Sequence, residues 1–284
     1  MIIWLASYPK SGNTWVRSFL TSLLYNENNE ANLKDLIHIQ QYPLRSHFTN
    51  LVTEIDSLKE LSSNWILSQK IINQDNKIKF FKTHHALCKF DNSFFTNGEV
   101  SLGVVHIVRD PRNVISSILY HYSKKNYEEA RDFLFDEKKA IGKKFDPNDP
   151  EVNRNIFTVL SSWKNHYLSW KEFKKNYLLI KYEDLLLNPH KEFHRLSEYL
   201  AKLLNVKFEN DKIDYAVKSN SFENLKKLEK EGGFGEAVKD KKTGEIKQFF
   251  NLGPANDWSK LLKDDLTESI EREFKNEMRE LGYI

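Results

Sequence analysis

The chain opens on an apolar run, IIWLAS (residues 2–7), which breaks at a Tyr-Pro-Lys-Ser-Gly turn. A short apolar run bounded by turn residues predicts a buried strand. Beyond the turn, Trp15, Val16, Phe19, Leu20, Leu23 and Leu24 recur at helical spacing until the polar stretch YNENNE ends the pattern. Three further apolar runs predict strands over residues 78–84, 102–110 and 177–185, and helical patterns lie over residues 113–122, 154–173 and 189–204. Strands alternating with helices predict an α/β fold, a mostly parallel central sheet flanked by helices on both faces. No internal repeat or long linker divides the chain, so one domain over residues 1–284 is expected. Ligands of such sheets bind beyond the carboxyl ends of the strands. Lys10, His84 and Arg109 each stand at such an end.

Two stretches depart from the pattern and predict insertions or lids. Residues 123–150 are charged and end in turn residues. Residues 229–248 (EKEGGFGEAVKDKKTGEIKQ) hold four glycines and little apolar periodicity, which predicts a mobile loop.

Composition narrows the function. With 40% apolar and 13% aromatic residues the chain can bury a substantial core. A net charge of +3 is too small for the concentrated basic face of a nucleic-acid binder and suits one local anionic site. The single cysteine, Cys88, excludes an internal disulfide framework and fits a small buried hydrophobe. The first residues lack the basic and long apolar regions of a secretory signal, and no run reaches the roughly 18 apolar residues of a membrane span. A cytoplasmic protein is expected.

Three motifs carry chemistry. The first, SYPKSGNTW, is a strand–loop–helix junction in which Gly12 lets backbone N–H groups approach an anion at a helix N-terminus. It does not fit the G-x-x-x-x-G-K-[ST] frame of nucleotide hydrolases. Gly12 and Thr14 fall into register, but Ser7 stands at the first Gly, Asn13 at the lysine, and the lysine comes early, as Lys10. The second, FFKTHH, sets His84 just past a strand end, with Lys82 two residues earlier, and histidine is the natural general base near neutral pH. The third, VVHIVRDPRNVISS, puts Arg109 at a strand end and Ser117 in the following helix. A guanidinium fork suits a phosphate, although Asp110 offers Arg109 or Arg112 a purely structural partner. No carboxylate pattern suggests a magnesium site.

In this order the motifs resemble the cytosolic sulfotransferase family, which uses 3′-phosphoadenosine 5′-phosphosulfate (PAPS) as sulfuryl donor. YPKSGNTW is similar to that family's 5′-phosphosulfate loop, commonly Y-P-K-S-G-T-T-W, with Asn13 at a threonine position. The resemblance implies that Lys10, Ser11, Gly12, Asn13, Thr14 and Trp15 hold the 5′ end of PAPS. It implies that His84 of KTH is the catalytic base, that Lys82 helps place the sulfate, and that Arg109 and Ser117 bind the 3′-phosphate. Tyr182 in YLLIKYEDLLLNP matches a tyrosine near the adenosine, and Asn220 and Phe222 in SNSFENLKK match adenine-contacting positions. The resemblance runs on through SSWKNHYLSW to FFNLGPANDW, similar to F-x-R-K-G-x-x-G-D-W-K, and so covers nearly the whole chain.

Some positions differ from the family. Its Arg-Lys-Gly at the 3′-phosphate is Asn251, Leu252 and Gly253 here, so that phosphate leans on Arg109, Ser117, the backbone near Gly253 or a lysine such as Lys247 or Lys260. The dimer segment K-x-x-x-T-V-x-x-x-E carries Lys263 and Asp264 at its Thr-Val positions, which leaves a homodimer open. His85 follows KTH, where the family often has Leu-Pro.

The expected function is in-line sulfuryl transfer from PAPS to a hydroxyl or amine of a small-molecule or carbohydrate acceptor, yielding adenosine 3′,5′-bisphosphate. His84 acts as base, Lys10 stabilises the leaving group, and no metal or nucleic acid takes part. The alternatives are a P-loop kinase of a small molecule and a non-catalytic nucleotide-binding module. Tyr42, Phe48, Trp65, Phe94 and Phe95 are candidates for an acceptor pocket or for core packing.

Overall fold

The structure, a computed structural model, describes residues 1–52, 57–142, 156–240 and 243–284. Four strands, β1 (Ile2–Ser7), β2 (Lys79–Thr83), β3 (Ser101–Val108) and β4 (Tyr177–Lys181), form a sheet in the order β2-β1-β3-β4. β1 runs parallel to both neighbours, with Leu5 opposite Lys82 on one side and Val105 on the other. Every residue of β1 is buried, and this is why it reads as a continuous apolar run rather than an alternation. The helices that carry or brace the site are α1 (Asn13–Tyr25), α2 (Pro111–His121), α3 (Tyr127–Phe135), α4 (Trp163–Lys171), α5 (Tyr182–Leu187), α6 (Pro189–Leu204), α7 (Asn210–Ser219) and α8 (Phe222–Gly232). The fold is α/β, a central parallel sheet with flanking helices.

The chain forms two compact units, each assembled from three segments. The first comprises Met1–Tyr8, Ile39–Ile107 and Asp136–Leu179. Its core is aromatic. The Trp4 ring meets Tyr42 at 5.4 Å, Phe95 at 5.6 Å and Trp170 at 6.4 Å between centroids, and its indole N–H donates to Ser101 Oγ at 2.7 Å. Each such ring pair adds about 0.5–1.5 kcal/mol beyond the area it buries. Tyr42, Phe48, Trp65 and Phe95 all belong to this core, whereas Phe94 is exposed.

In this unit the helix expected over residues 154–173 is shorter than its pattern. α4 begins only at Trp163, because Ser162 caps it by accepting from Asn165 N at 3.2 Å and Ser161 takes a positive φ of 60°. Thr158–Val159 pairs instead with Ala140–Ile141 as a short antiparallel ladder. Arg154 lies outside the described residues, as does the end of the 123–150 insertion from residue 143 on.

The second unit comprises Pro9–His38, Val108–Phe135 and Ile180–Ile284. Its helix starts follow local chemistry. Asp110 caps α2 by accepting from Arg112 N at 2.9 Å, with Pro111 at the first position. Asn188 caps α6 in the same way, again followed by proline. The strand expected to reach residue 185 stops at Lys181, and YEDLLL forms α5, since Glu183 and Asp184 in a first turn favour a helix N-terminus.

Neither expected lid is wholly a loop. Within residues 123–150, α3 buries Ala130, Phe133 and Leu134, and the Phe133 ring packs on Tyr122 at 4.9 Å. Within residues 229–248, the first four residues finish α8. Glu229 is buried there and accepts the backbone N–H groups of Phe249 and Phe250 at 2.6 and 2.9 Å. Lys241 and Lys242 lie outside the described residues. No helix of the described residues is long and apolar enough to cross a membrane.

Candidate active site

In the second unit, the loop that follows β1 turns sharply into α1. Lys10 adopts φ 67°, a left-handed conformation uncommon for a residue with a side chain, and Gly12 adopts φ 100° as the α1 N-cap. A Cβ on Gly12 would stand 2.5 Å from Tyr182 Cδ2, so only glycine lets the loop pass beneath that ring. α1 has no side-chain cap, and the positive end of its macrodipole faces the loop. Ser11 is fully buried, and its hydroxyl has no hydrogen-bond partner among the described residues. A buried polar group left so costs about 1–3 kcal/mol and is met by ordered water or by a ligand.

Arg109 braces this loop. Its Nη1 donates to the Lys10 carbonyl at 3.0 Å and to Ser117 Oγ at 3.4 Å, while its guanidinium lies over the Tyr182 ring, 4.2 Å from the centroid. The Asp110 carboxylate takes Arg112 Nε and Nη2 at 3.0 and 2.6 Å, and Arg112 goes on to Glu271 at 2.5 Å and the Tyr283 carbonyl at 2.8 Å. Of the two arginines open as its partner in the sequence, Arg112 pairs with Asp110. Asn256 Nδ2 donates to Ser117 Oγ at 3.3 Å and to the Asn113 carbonyl at 2.8 Å, which ties the ANDW segment to α2.

The predicted adenine-side residues gather in the same unit. Trp15 Nε1 donates to the Asn220 carbonyl at 2.8 Å, and its ring meets Tyr182 edge-on at 6.0 Å. Asn220 is fully buried, donates from Nδ2 to Ser22 Oγ at 2.9 Å, and has no partner at Oδ1 among the described residues. Phe222 packs against Gly253, whose φ of 53° and 2.2 Å separation from Phe222 Cζ to a would-be Cβ again require glycine. Asn251 is half-buried and Leu252 exposed. The Asn251 carbonyl accepts from Lys226 Nζ at 3.4 Å. Lys247 pairs with Asp240 at 2.9 Å and donates to the Tyr120 carbonyl at 3.0 Å, and Lys260 pairs with Asp257 at 3.0 Å on the surface.

Two contacts had no sign in the sequence. Glu236 places one carboxylate oxygen 3.4 Å from Thr14 Oγ1 and the other 2.5 Å from Arg17 Nη1. The Lys10 ammonium sits 3.8 Å above the centre of the Phe249 ring. Glu236 comes from the 229–248 stretch, whose glycines and charges disguise its role in packing, and Phe249 is the residue that follows that stretch.

In the first unit, His84 emerges from the end of β2. Its Nδ1 lies 2.8 Å from the Ser7 carbonyl oxygen and 3.3 Å from Ser7 Oγ. A carbonyl only accepts, so Nδ1 carries a proton, and in a neutral ring the lone pair then lies on Nε2. The His84 carbonyl in turn accepts from His166 Nε2 at 3.2 Å. His85 is built differently. It is fully buried, stacks on Phe95 at 4.0 Å and bonds through Nδ1 to the Ala86 carbonyl at 2.7 Å, and burial lowers its pKa to about 4. Lys82 is buried on β2, with its backbone bonded to Gln40 and Tyr42.

The Sulfotransferase domain family model matches residues 2–282, and the chain belongs to that family. It is similar to Sulfotransferase 1B1 of Canis lupus familiaris, 26% identical over 278 residues that span 96% of this chain and 82% of the relative. It is similar also to Cytosolic sulfotransferase 10 of Arabidopsis thaliana, 24% identical over 289 residues spanning 98% and 78%. Among solved structures, mouse sulfotransferase SULT7A1 complexed with PAP shares the fold at a TM-score of 0.55 and 18% identity, covering 98% of this chain and 84% of that one. Retinol dehydratase in a complex with retinol and PAP does so at a TM-score of 0.60 and 17% identity, covering 98% and 81%.

Proposed function

We propose that this PAPS-dependent sulfotransferase transfers the sulfuryl group in line to a hydroxyl or amine of a small-molecule or carbohydrate acceptor, with His84 as general base and Lys10 at the leaving group. His84 Nε2 takes the acceptor proton as the acceptor atom bonds to sulfur. The bond from sulfur to the bridging oxygen breaks, its electron pair stays on that oxygen, and adenosine 3′,5′-bisphosphate departs. Lys10 meets the negative charge growing on the oxygen, the preorganised electrostatic help that typically contributes a few kcal/mol. Lys82 helps place the sulfate, and these cations supply the charge that a metal provides in phosphoryl transfer.

The observation that carries this reading is the His84 Nδ1 bond to the Ser7 carbonyl at 2.8 Å, which leaves Nε2 as the basic nitrogen. The nucleotide assignment rests on the fit of the second unit. Ser11 Oγ and Asn220 Oδ1 are buried without partners among the described residues, the first suited to an anionic oxygen and the second to an exocyclic amine. Thr14, Asn13 and the α1 N-terminus serve the 5′ end. Arg109, Ser117 and the backbone of Asn251, Leu252 and Gly253 serve the 3′-phosphate, and Trp15, Tyr182 and Phe222 frame the base. Residues 1–284 act as one enzyme, which we place in the cytoplasm on the strength of its cytosolic relatives.

The test is calorimetric titration with adenosine 3′,5′-bisphosphate and with ATP–magnesium, followed by an acceptor screen with labelled PAPS read by mass spectrometry. Tight bisphosphate binding with sulfated product is expected. Binding of ATP only with magnesium would instead make the chain a kinase, and binding of neither nucleotide a non-catalytic module.

A further inference from the structure

Two helices of the second unit bring together ligating side chains that the sulfuryl-transfer reading does not use. His190 and His194 lie one turn apart on α6, on one face, and Asp214 projects from α7. His190 Nδ1 and His194 Nε2 each stand 2.9 Å from the same atom, Asp214 Oδ1. The three ligand atoms all lie within 4.8 Å of one another, the one such group of three among the described residues. All three side chains are partly exposed, so an ion can reach them and water can complete its shell.

We infer that His190, His194 and Asp214 form a three-ligand site for a borderline divalent transition ion of the zinc class. Two imidazoles and one carboxylate are ligands that zinc accepts, whereas magnesium and calcium favour oxygen-only sets. A tetrahedral ion with bonds of about 2.0 Å holds its ligand atoms about 3.3 Å apart. The present spacing is therefore close to a coordination shell, and small side-chain rotations at a partly exposed site complete it. Without an ion, each imidazole donates an N–H to one carboxylate oxygen. In the bound form the lone pairs of His190 Nδ1 and His194 Nε2 face the ion, and each ring carries its N–H on the other nitrogen. The ion replaces two hydrogen bonds by three coordinate bonds and fastens α6 to α7. α7 ends at its C-cap Asn220, so the site anchors the helix that presents an adenine-side residue.

The experiment uses the untagged full chain, treated with chelator and then dialysed. Zinc chloride is titrated calorimetrically, and cobalt chloride is followed by its visible d–d absorption. One ion per chain is expected, with no binding of magnesium. The His190→Gln/His194→Gln double variant should lose affinity by at least about tenfold, together with the cobalt spectrum. It should keep the wild-type circular dichroism and the affinity for adenosine 3′,5′-bisphosphate. Asp214→Asn, which leaves both imidazoles in place, should lose a similar factor and serves if the double variant does not fold. Cys88→Ser should bind as wild type does. A wild-type chain that takes up no zinc overturns the site, and so does zinc binding that both variants leave unchanged.

Discussion

Arg109 Nη1 donates to the carbonyl oxygen of Lys10 at 3.0 Å, so the cation predicted for the 3′-phosphate also fixes the backbone of the 5′ loop. On the proposed assignment, one guanidinium serves both ends of the nucleotide. Asn251 and Leu252 bring no charge at the positions where the resembled family motif has Arg-Lys, which in the proposed site raises the share that falls on Arg109. Arg109→Ala should weaken adenosine 3′,5′-bisphosphate strongly and adenosine 5′-phosphate by a smaller factor, read by calorimetry. Arg109→Lys should recover little, because an ammonium lacks the planar guanidinium that lies over the Tyr182 ring while it bonds to the loop carbonyl. Equal weakening of both nucleotides would assign Arg109 to the loop alone.

His84 differs from its neighbour in what its ring faces. His84 is half-buried, with Nδ1 on the Ser7 carbonyl, whereas His85 is enclosed by Phe95 and Trp65. His84→Ala should lower kcat by roughly 10²-fold or more with donor affinity nearly unchanged, as expected for proton transfer felt in the transition state. Steady-state kinetics that keep kcat within a few-fold of wild type would remove His84 from the mechanism.

The parts of this architecture that were legible in the sequence are those set locally. β1 declares itself because all its residues are buried, the loop because Gly12 must take a positive φ, and α6 because Asn188 and Pro189 mark its start and Leu204 its end. The run YLLIKYEDLLL misleads because a short apolar stretch has no period long enough to separate strand from helix. Only the acids at 183 and 184 announce α5. Contacts made across the chain were not legible at all. Thr14 and Glu236 are 222 positions apart, and nothing in the spacing of a glycine-rich, charged stretch says that its carboxylate returns to α1. The Phe249 ring under Lys10 was hidden for the same reason. Tertiary packing chose those partners, and periodicity does not encode it.

Glu236 holds a negative charge against Thr14 and Arg17, at the end of α1 where a phosphosulfate is proposed to lie. The carboxylate opposes an incoming anion and occupies the Thr14 hydroxyl. Glu236→Gln keeps a hydrogen-bonding side chain for Arg17 and removes the charge. It should tighten adenosine 3′,5′-bisphosphate by on the order of 1 kcal/mol, about fivefold in Kd. Weaker binding would mean that Glu236 organises the loop for the nucleotide rather than competing with it.

Burial lowers the His85 pKa to about 4, and that of His47 to about 4 as well. Unfolded, each titrates near its ordinary value of about 6.5, so between these limits the unfolded chain binds more protons than the folded one. Their contribution to stability is complete above about pH 6.5 and is lost as pH falls toward 4, at up to about 1.4 kcal/mol per pH unit for each ring. The urea midpoint should therefore fall between pH 7 and 5. His85→Phe preserves the stack on Phe95 and removes the titrating group, so the slope should become shallower by about 1 kcal/mol per pH unit, whatever the change in stability at neutral pH. An unaltered slope would place the acid sensitivity elsewhere.

Lys10 rests with its ammonium 3.8 Å above the Phe249 ring, on a backbone held at φ 67°. A cation on an aromatic face is stabilised electrostatically, and the proposed reaction asks it to meet an oxygen that becomes more negative. If that oxygen is the bridging one, Lys10 contributes more in the transition state than in the ground state. Lys10→Ala should then reduce kcat by a larger factor than it weakens the bisphosphate product. Lys10→Arg should restore only part, since a planar fork cannot set a point charge at the same place. Phe249→Leu removes the resting contact while leaving the ammonium, and should change kcat far less than Lys10→Ala does. An unchanged kcat with a raised KM for PAPS in Lys10→Ala would make the residue a uniform anchor. The leaving oxygen would then have to be stabilised by another cation, and Lys82, buried on β2, is the one to substitute next.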